Sequence, residues 1–209
     1  MTDAMTKTEP GFLHHFEPGT NAAGAPLLLL HGTGGDESDL LPLGQAIAPG
    51  RALLSPRGRV LENGMPRFFR RLAEGVFDEQ DLVAQAGALA GFIAGARTRY
   101  GLAAPIAVGF SNGANIAAAL LLLHSEALAG AVLIRAMPPL SRPPEGSGLA
   151  GKRVLLLSGR ADPIVPAAAA TTLATQLAAH GAEVTHQELA AGHGLTDEDV
   201  LAARAFLAG

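Results

Sequence analysis

The chain has 209 residues, enough for one domain with a full core, and its 48% hydrophobic and 16% charged content marks a globular protein, not a disordered one. A formal charge of −4 argues against a nucleic-acid partner, which needs a basic surface. The absence of cysteine excludes disulfides, thiolate metal ligands and a cysteine nucleophile.

The polar start, Met1 to Gly11, lacks the basic-then-apolar order of a secretory signal. Apolar stretches fall well short of the ~20 residues that span a bilayer. A cytoplasmic location without stable membrane association is therefore expected, with residues 1–10 a flexible tail and residues 11–209 a single domain. Phe12–Phe16 is polar enough for an edge strand, and Leu27–Leu30 and Ala52–Leu54 are apolar strands. Glu79–Arg99 has helix-forming composition, followed by strand Ile106–Phe110, helix Asn112–Leu123 and strand Ala131–Ile134. Pro138–Gly151, rich in Pro, Ser and Gly, predicts a surface loop able to form only a small flap. Strand Val154–Leu157, helix Pro166–His180, strand Val184–Leu189 and helix Asp197–Leu207 complete the order, with Thr196 as N-cap of the last helix. Strands apolar along their whole length are buried on both faces. Their alternation with helices predicts an α/β fold with a mostly parallel sheet, helices on both sides and no large lid. Chemistry in such a fold collects beyond the carboxyl ends of the strands.

Gly109-Phe110-Ser111-Asn112-Gly113 fits G-x-S-x-G between a strand and a helix. That turn exposes the serine hydroxyl and sets a helix N-terminus beneath it. A nucleophilic serine needs a base, and the base needs an orienting acid, in chain order Ser, acid, His. Asp162 follows strand Val154–Leu157, and His193, between two glycines, follows strand Val184–Leu189. His14, His15, His124, His180 and His186 do not combine that order with a place in a post-strand loop. Asp197 and Asp199 read as helix-start charges. His31-Gly32-Thr33-Gly34-Gly35 follows Leu27–Leu30, and the backbone N–H groups of Thr33 and Asn112 are the expected oxyanion donors. His31 is expected to brace this loop. The sequence has neither glycine-rich phosphate motif at this loop, and neither His-x-x-x-His nor a carboxylate cluster at metal-ligand spacing, so no cofactor and no metal is expected.

Taken together, Leu30 to Gly35, Gly109 to Gly113, Gly159 with Asp162 and Pro166, and Gly192-His193-Gly194 resemble the phospholipase/carboxylesterase group of α/β-hydrolases from about His15 to Phe206. The resemblance implies the α/β-hydrolase fold, Ser111, Asp162 and His193 as the catalytic triad, and a homodimer. Asn112 stands where acyl-protein thioesterases usually carry Gln. The segment Asn63 to Arg71 is more similar to the branch associated with hydroquinone-responsive bacterial operons.

Within that segment, Arg67, Phe68 and Phe69 are candidates for the substrate pocket, the rings for an acyl or aryl group and an arginine for an anion. Their commoner fates are core phenylalanines and solvated arginines. The expected function is hydrolysis of small soluble carboxylic esters through an acyl-enzyme. A thioesterase, lysophospholipase or lactone hydrolase could use the same triad. A noncatalytic small-molecule binder or sensor on the same fold is the reading from another class.

Overall fold

Four consecutive leucines, Leu27–Leu30, make strand β2, and all four are buried because helices cover both faces of the sheet. The computed structural model describes residues 11–20, 24–146 and 148–209; the expected tail, residues 1–10, lies outside them. In chain order the elements are β1 (His14–Glu17), β2, α1 (Leu41–Ile47), β3 (Leu53–Pro56), β4 (Val60–Glu62), β5 (Met65–Arg67), β6 (Arg71–Ala73), β7 (Val76–Phe77) and α2 (Glu79–Tyr100). There follow β8 (Ile106–Phe110), α3 (Asn112–Leu123), β9 (Gly130–Ile134), β10 (Arg153–Gly159), α4 (Ala167–Ala179), β11 (Glu183–Leu189) and α5 (Asp197–Ala208).

Among the described residues one seven-stranded sheet runs β1-β3-β2-β8-β9-β10-β11. Only β1 is antiparallel, pairing with β3 at the edge, where its more polar sequence fits. Side chains alternate across the parallel strands. Leu28, Leu30, Ala107, Leu133 and Leu156 pack towards α2, α3 and α4. Leu27, Leu29, Val108, Val132 and Leu155 pack towards α1 and α5. Each fully buried leucine or valine contributes about 1.5–3 kcal/mol, so two continuous cores grip the sheet. No helix of the described residues is long and apolar enough to cross a membrane.

Two parts depart from the sequence expectation. The seven-residue helix α1, absent from the sequence expectation, starts without a side-chain cap, and Pro42 in its first turn is the start signal it does carry. Residues 60–77 form two small hairpins, β4–β5 and β6–β7, whose strands are only two or three residues long. The β4–β5 turn is Asn63-Gly64, both at positive φ, a pairing that marks a tight hairpin in sequence.

The tightest point lies where α3 leaves β8. A Cβ on Gly113 would fall on the backbone carbonyl of Leu30, so helix and sheet touch without an intervening side chain. Gly113→Ala should therefore cost at least about 3 kcal/mol, because backbone must move to admit the methyl group. The check is a lowered urea midpoint or loss of soluble protein.

Candidate active site

Strand β8 ends at Phe110, and Ser111 turns the chain into α3 with φ 52° and ψ −114°. A non-glycine residue rarely adopts positive φ. Its N–H donates to the Ile134 carbonyl at 2.9 Å, tying the turn to the end of β9. The Ser111 Oγ lies 2.9 Å from His193 Nε2, and His193 Nδ1 lies 2.9 Å from Asp162 Oδ2. The carboxylate fixes the imidazole proton on Nδ1, leaving Nε2 to accept from the serine hydroxyl. The three residues predicted from separate loops are thus brought into one hydrogen-bonded line at the carboxyl ends of the strands.

The Asp162 side chain is fully buried, which alone would raise its pKa. The N–H groups of Val165 and Ile164 donate to its Oδ1 at 3.0 and 2.8 Å, and with His193 they outweigh burial. The net effect holds the carboxyl below its ordinary range, so it stays ionised beside the imidazole.

Residues 31–35 approach from the other side. His31 Nδ1–H donates to the Gly32 carbonyl at 2.6 Å, while its Nε2 accepts from the Gly58 N–H at 2.9 Å. Burial lowers the pKa of His31 against the opposing pull of the Gly32 carbonyl and of Asp39, Asp36 and Glu37, and the accepting Nε2 requires the neutral ring. The brace expected of His31 is therefore an uncharged bridge between two loops. The Gly34 N–H donates to the Pro66 carbonyl, and Arg67 Nη1 donates to Thr33 Oγ1 at 2.6 Å. Among the described residues the backbone N–H groups of Thr33 and Asn112 have no hydrogen-bond acceptor, and both residues line the same cavity as Ser111 and His193.

That cavity has a volume of about 330 Å³. Arg67 lines it, but Phe68 and Phe69 do not. Both rings are buried in the core, with Phe68 against His31 and Phe69 edge-on to Phe77. Their assignment to the pocket is corrected. The backbone N–H of Phe68 is what faces the site, donating to Asn112 Oδ1 at 2.7 Å. Nor is Arg67 a solvated arginine, since it is 3% exposed. Arg67 and Arg71 both pair with Glu62, whose pKa is lowered chiefly by its hydrogen bond to Arg71. The wall opposite the His193 loop comes from the β5 to β7 segment, whereas the described residues of the expected flap, 138–151, do not line the cavity.

Arg135 was not foreseen as part of the site. It follows β9 at φ 58°, is 0% exposed, and pairs through both Nη atoms with buried Asp199 at 2.8 and 2.9 Å. Its Nε donates to the Gly192 carbonyl at 2.8 Å and its Nη2 to the Gly194 carbonyl at 3.2 Å, on either side of His193. Nη1 also reaches the Leu157 carbonyl at 3.3 Å. Asp199 completes a capping box with Thr196 at the start of α5, so it is more than the helix-start charge expected. An arginine directly after a buried strand was the sequence signal. Asn115 was missed as well. It accepts from the Met137 N–H and lines the cavity, and a polar residue inside an otherwise apolar helix could have marked it.

A family profile described as TAP-like protein matches residues 135–205, the part carrying Arg135, Asp162 and His193. MhqD of Bacillus subtilis (strain 168), named for a hydrolase, is 46% identical over 193 residues, covering 91% of this chain and 95% of that protein. The chain belongs to the carboxylesterase-like α/β-hydrolases. The solved carboxylesterase of Bacillus cereus superposes on this hydrolase with a TM-score of 0.90 at 44% identity, covering 94% of each chain. The carboxylesterase from Mesorhizobium loti gives 0.93 at 34% identity over the full length of both. The expected fold and the expected enzyme class, an esterase-type hydrolase, are both borne out.

Two outcomes follow for this hydrolase. Asp199→Ala should cost about 3–5 kcal/mol by leaving Arg135 charged and unpaired, read as a lower urea midpoint. The double change Arg135→Met with Asp199→Leu should recover most of that loss, apart from about 1 kcal/mol for the cap. Activity of the double variant should stay depressed, because the Gly192 and Gly194 carbonyls have lost their donor. The second outcome concerns pH. His31 and the buried His14 both have lowered pKa values, chiefly through burial, so the unfolded chain gains their protons first as pH falls. Their contribution is fully present above the unfolded value of about 6.5 and is lost on acidification through the folded values. Urea midpoints measured from roughly pH 7.5 to 5.5 should fall, and less steeply for His31→Asn.

Proposed function

We propose that this hydrolase cleaves small carboxylic esters through an acyl-enzyme on Ser111. The observation that carries the reading is the line Asp162–His193–Ser111, joined by two 2.9 Å contacts and opening on a cavity of about 330 Å³. His193 Nε2 takes the hydroxyl proton as Ser111 Oγ attacks the ester carbonyl. The oxygen of the tetrahedral intermediate becomes an oxyanion, to which the free N–H groups of Thr33 and Asn112 donate. Asp162, ionised throughout, balances the imidazolium and holds its orientation. His193 then protonates the departing alcohol. Water, activated by the same imidazole, attacks the acyl-serine, and the acid leaves as Ser111 regains its proton. The sum is ester plus water to acid plus alcohol.

The Thr33 hydroxyl accepts from Arg67, which leaves its own proton free to donate as a third oxyanion contact. A cavity of this size at the surface suits a short ester. The names of the Bacillus cereus and Mesorhizobium loti relatives point to the same ester chemistry.

A fluorophosphonate probe should label the wild type and not Ser111→Ala. Hydrolysis of p-nitrophenyl acetate should fall by roughly 10⁴-fold or more in Ser111→Ala and by roughly 10³- to 10⁴-fold in Asp162→Asn. Wild-type turnover by Ser111→Ala would remove the serine from the mechanism.

A further inference from the structure

Two guanidinium groups on the cavity wall share a single carboxylate. Arg67 Nη1 lies 3.3 Å from Glu62 Oε2, and Arg71 Nε donates to Glu62 Oε1 at 2.9 Å. Glu74 also lines the cavity, exposed, and makes no ion pair with either arginine, so Glu62 is the one carboxylate that engages them among the described residues.

The donor inventory points the same way. Each guanidinium has five N–H groups. Arg67 commits Nε to the Phe69 carbonyl and Nη1 to Thr33 and Glu62, and its Nη2 has no acceptor among the described residues. Arg71 commits only Nε, leaving both Nη groups without one. Asn112 adds an independent sign. Its Oδ1 is held by the Phe68 N–H, which fixes the orientation of the amide, and its Nδ2 is buried with no partner. A buried donor left unsatisfied costs about 1–3 kcal/mol, and Asn112 lies beside Ser111 on the cavity wall. The region from Asn112 through Arg67 to Arg71 is thus rich in donors that the protein does not use.

We propose that this region is an acid-recognition subsite, and that the preferred substrates are half-esters of short dicarboxylic acids, with the free carboxylate on the acyl part. The proposal rests on the ester-hydrolase reading of Ser111. The acyl side follows from the layout. The leaving alcohol must lie near His193, where Phe110, Ile164 and Val165 make an apolar wall. Arg67 instead holds Thr33 in the oxyanion loop, on the carbonyl side. The Nη groups of Arg71 offer a carboxylate the two-pronged contact that guanidinium makes best.

The test compares monoethyl glutarate with ethyl pentanoate, which differ by a carboxylate in place of a methyl group, by ethanol release at neutral pH. Calorimetric binding of glutarate to the wild type and Arg71→Gln runs alongside. The wild type should favour the glutarate ester by about tenfold or more in kcat/KM, mainly through KM. That ratio should drop about tenfold in Arg71→Gln, be partly restored in Arg71→Lys, and shrink at high salt. Glutarate should bind the wild type and bind Arg71→Gln more weakly. Equal or better turnover of ethyl pentanoate by the wild type overturns the carboxylate subsite and leaves the esterase reading standing. Glutarate binding that is undetectable, or unchanged by Arg71→Gln, also overturns the subsite. If neither ester is cleaved while glutarate binds in an Arg71-dependent way, the esterase reading fails and the acid subsite stands.

Discussion

Arg135 and Asp199 meet where neither side chain reaches water, and the free energy of taking two ions out of solvent has to be offset locally. Their geometry does this completely on the arginine side. The five N–H groups of the guanidinium meet five acceptors: two carboxylate oxygens and the carbonyls of Leu157, Gly192 and Gly194. Those acceptors belong to β10, the loop carrying His193 and the first turn of α5. A single side chain from the end of β9 therefore ties β10, 22 residues later, to the His193 loop and the start of α5, up to 64 residues later. A loop with glycines on both sides of His193 would otherwise sample many orientations of the ring. Here its carbonyls are pinned before any substrate arrives, which is what preorganisation requires.

The two sides of the site are held by different physics. On the base side the anchor is ionic and fully enclosed. On the oxyanion side it is a neutral histidine, His31, bridging Gly32 and Gly58, with the Gly34 N–H on Pro66 and Arg67 on Thr33. That side leans on hairpins whose strands are short and whose apolar residues Leu61, Leu72 and Val76 are exposed. Where the two hairpins meet, however, Arg67, Phe68 and Phe69 are buried, so this wall is anchored at their junction and exposed at their outer strands.

The parts legible in the sequence were those that repeat a strong physical rule. Runs such as Leu27–Leu30 and Ala131–Ile134 can only be buried on both faces, and they marked the sheet within a few residues. Ser111 and Asp162 stood out because each lies just past such a run, and His193 because it lies in the glycine-flanked loop after the more polar strand Val184–Leu189, in the chain order a triad requires. Residues 60–77 were not legible as hairpins, because strands of two or three half-exposed residues carry no period to detect, although Asn63-Gly64 held the turn signal. Phe68 and Phe69 look alike in sequence whether they line a pocket or fill a core; packing beneath His31 and against Phe77 decided it. Arg135 carries no sequence signal beyond its place directly after a buried strand. Only the fold reveals that its partner lies 64 residues later.

The backbone of Ser111 holds a conformation that side chains with a Cβ avoid, at a cost of about 1–3 kcal/mol. Glycine would sit in that turn with less strain and leave the sheet and helix as they are. A lineage selected only for a durable fold would drift towards glycine at position 111. The serine is in that sense a record of selection acting against the interests of stability, kept for a use that folding itself does not have.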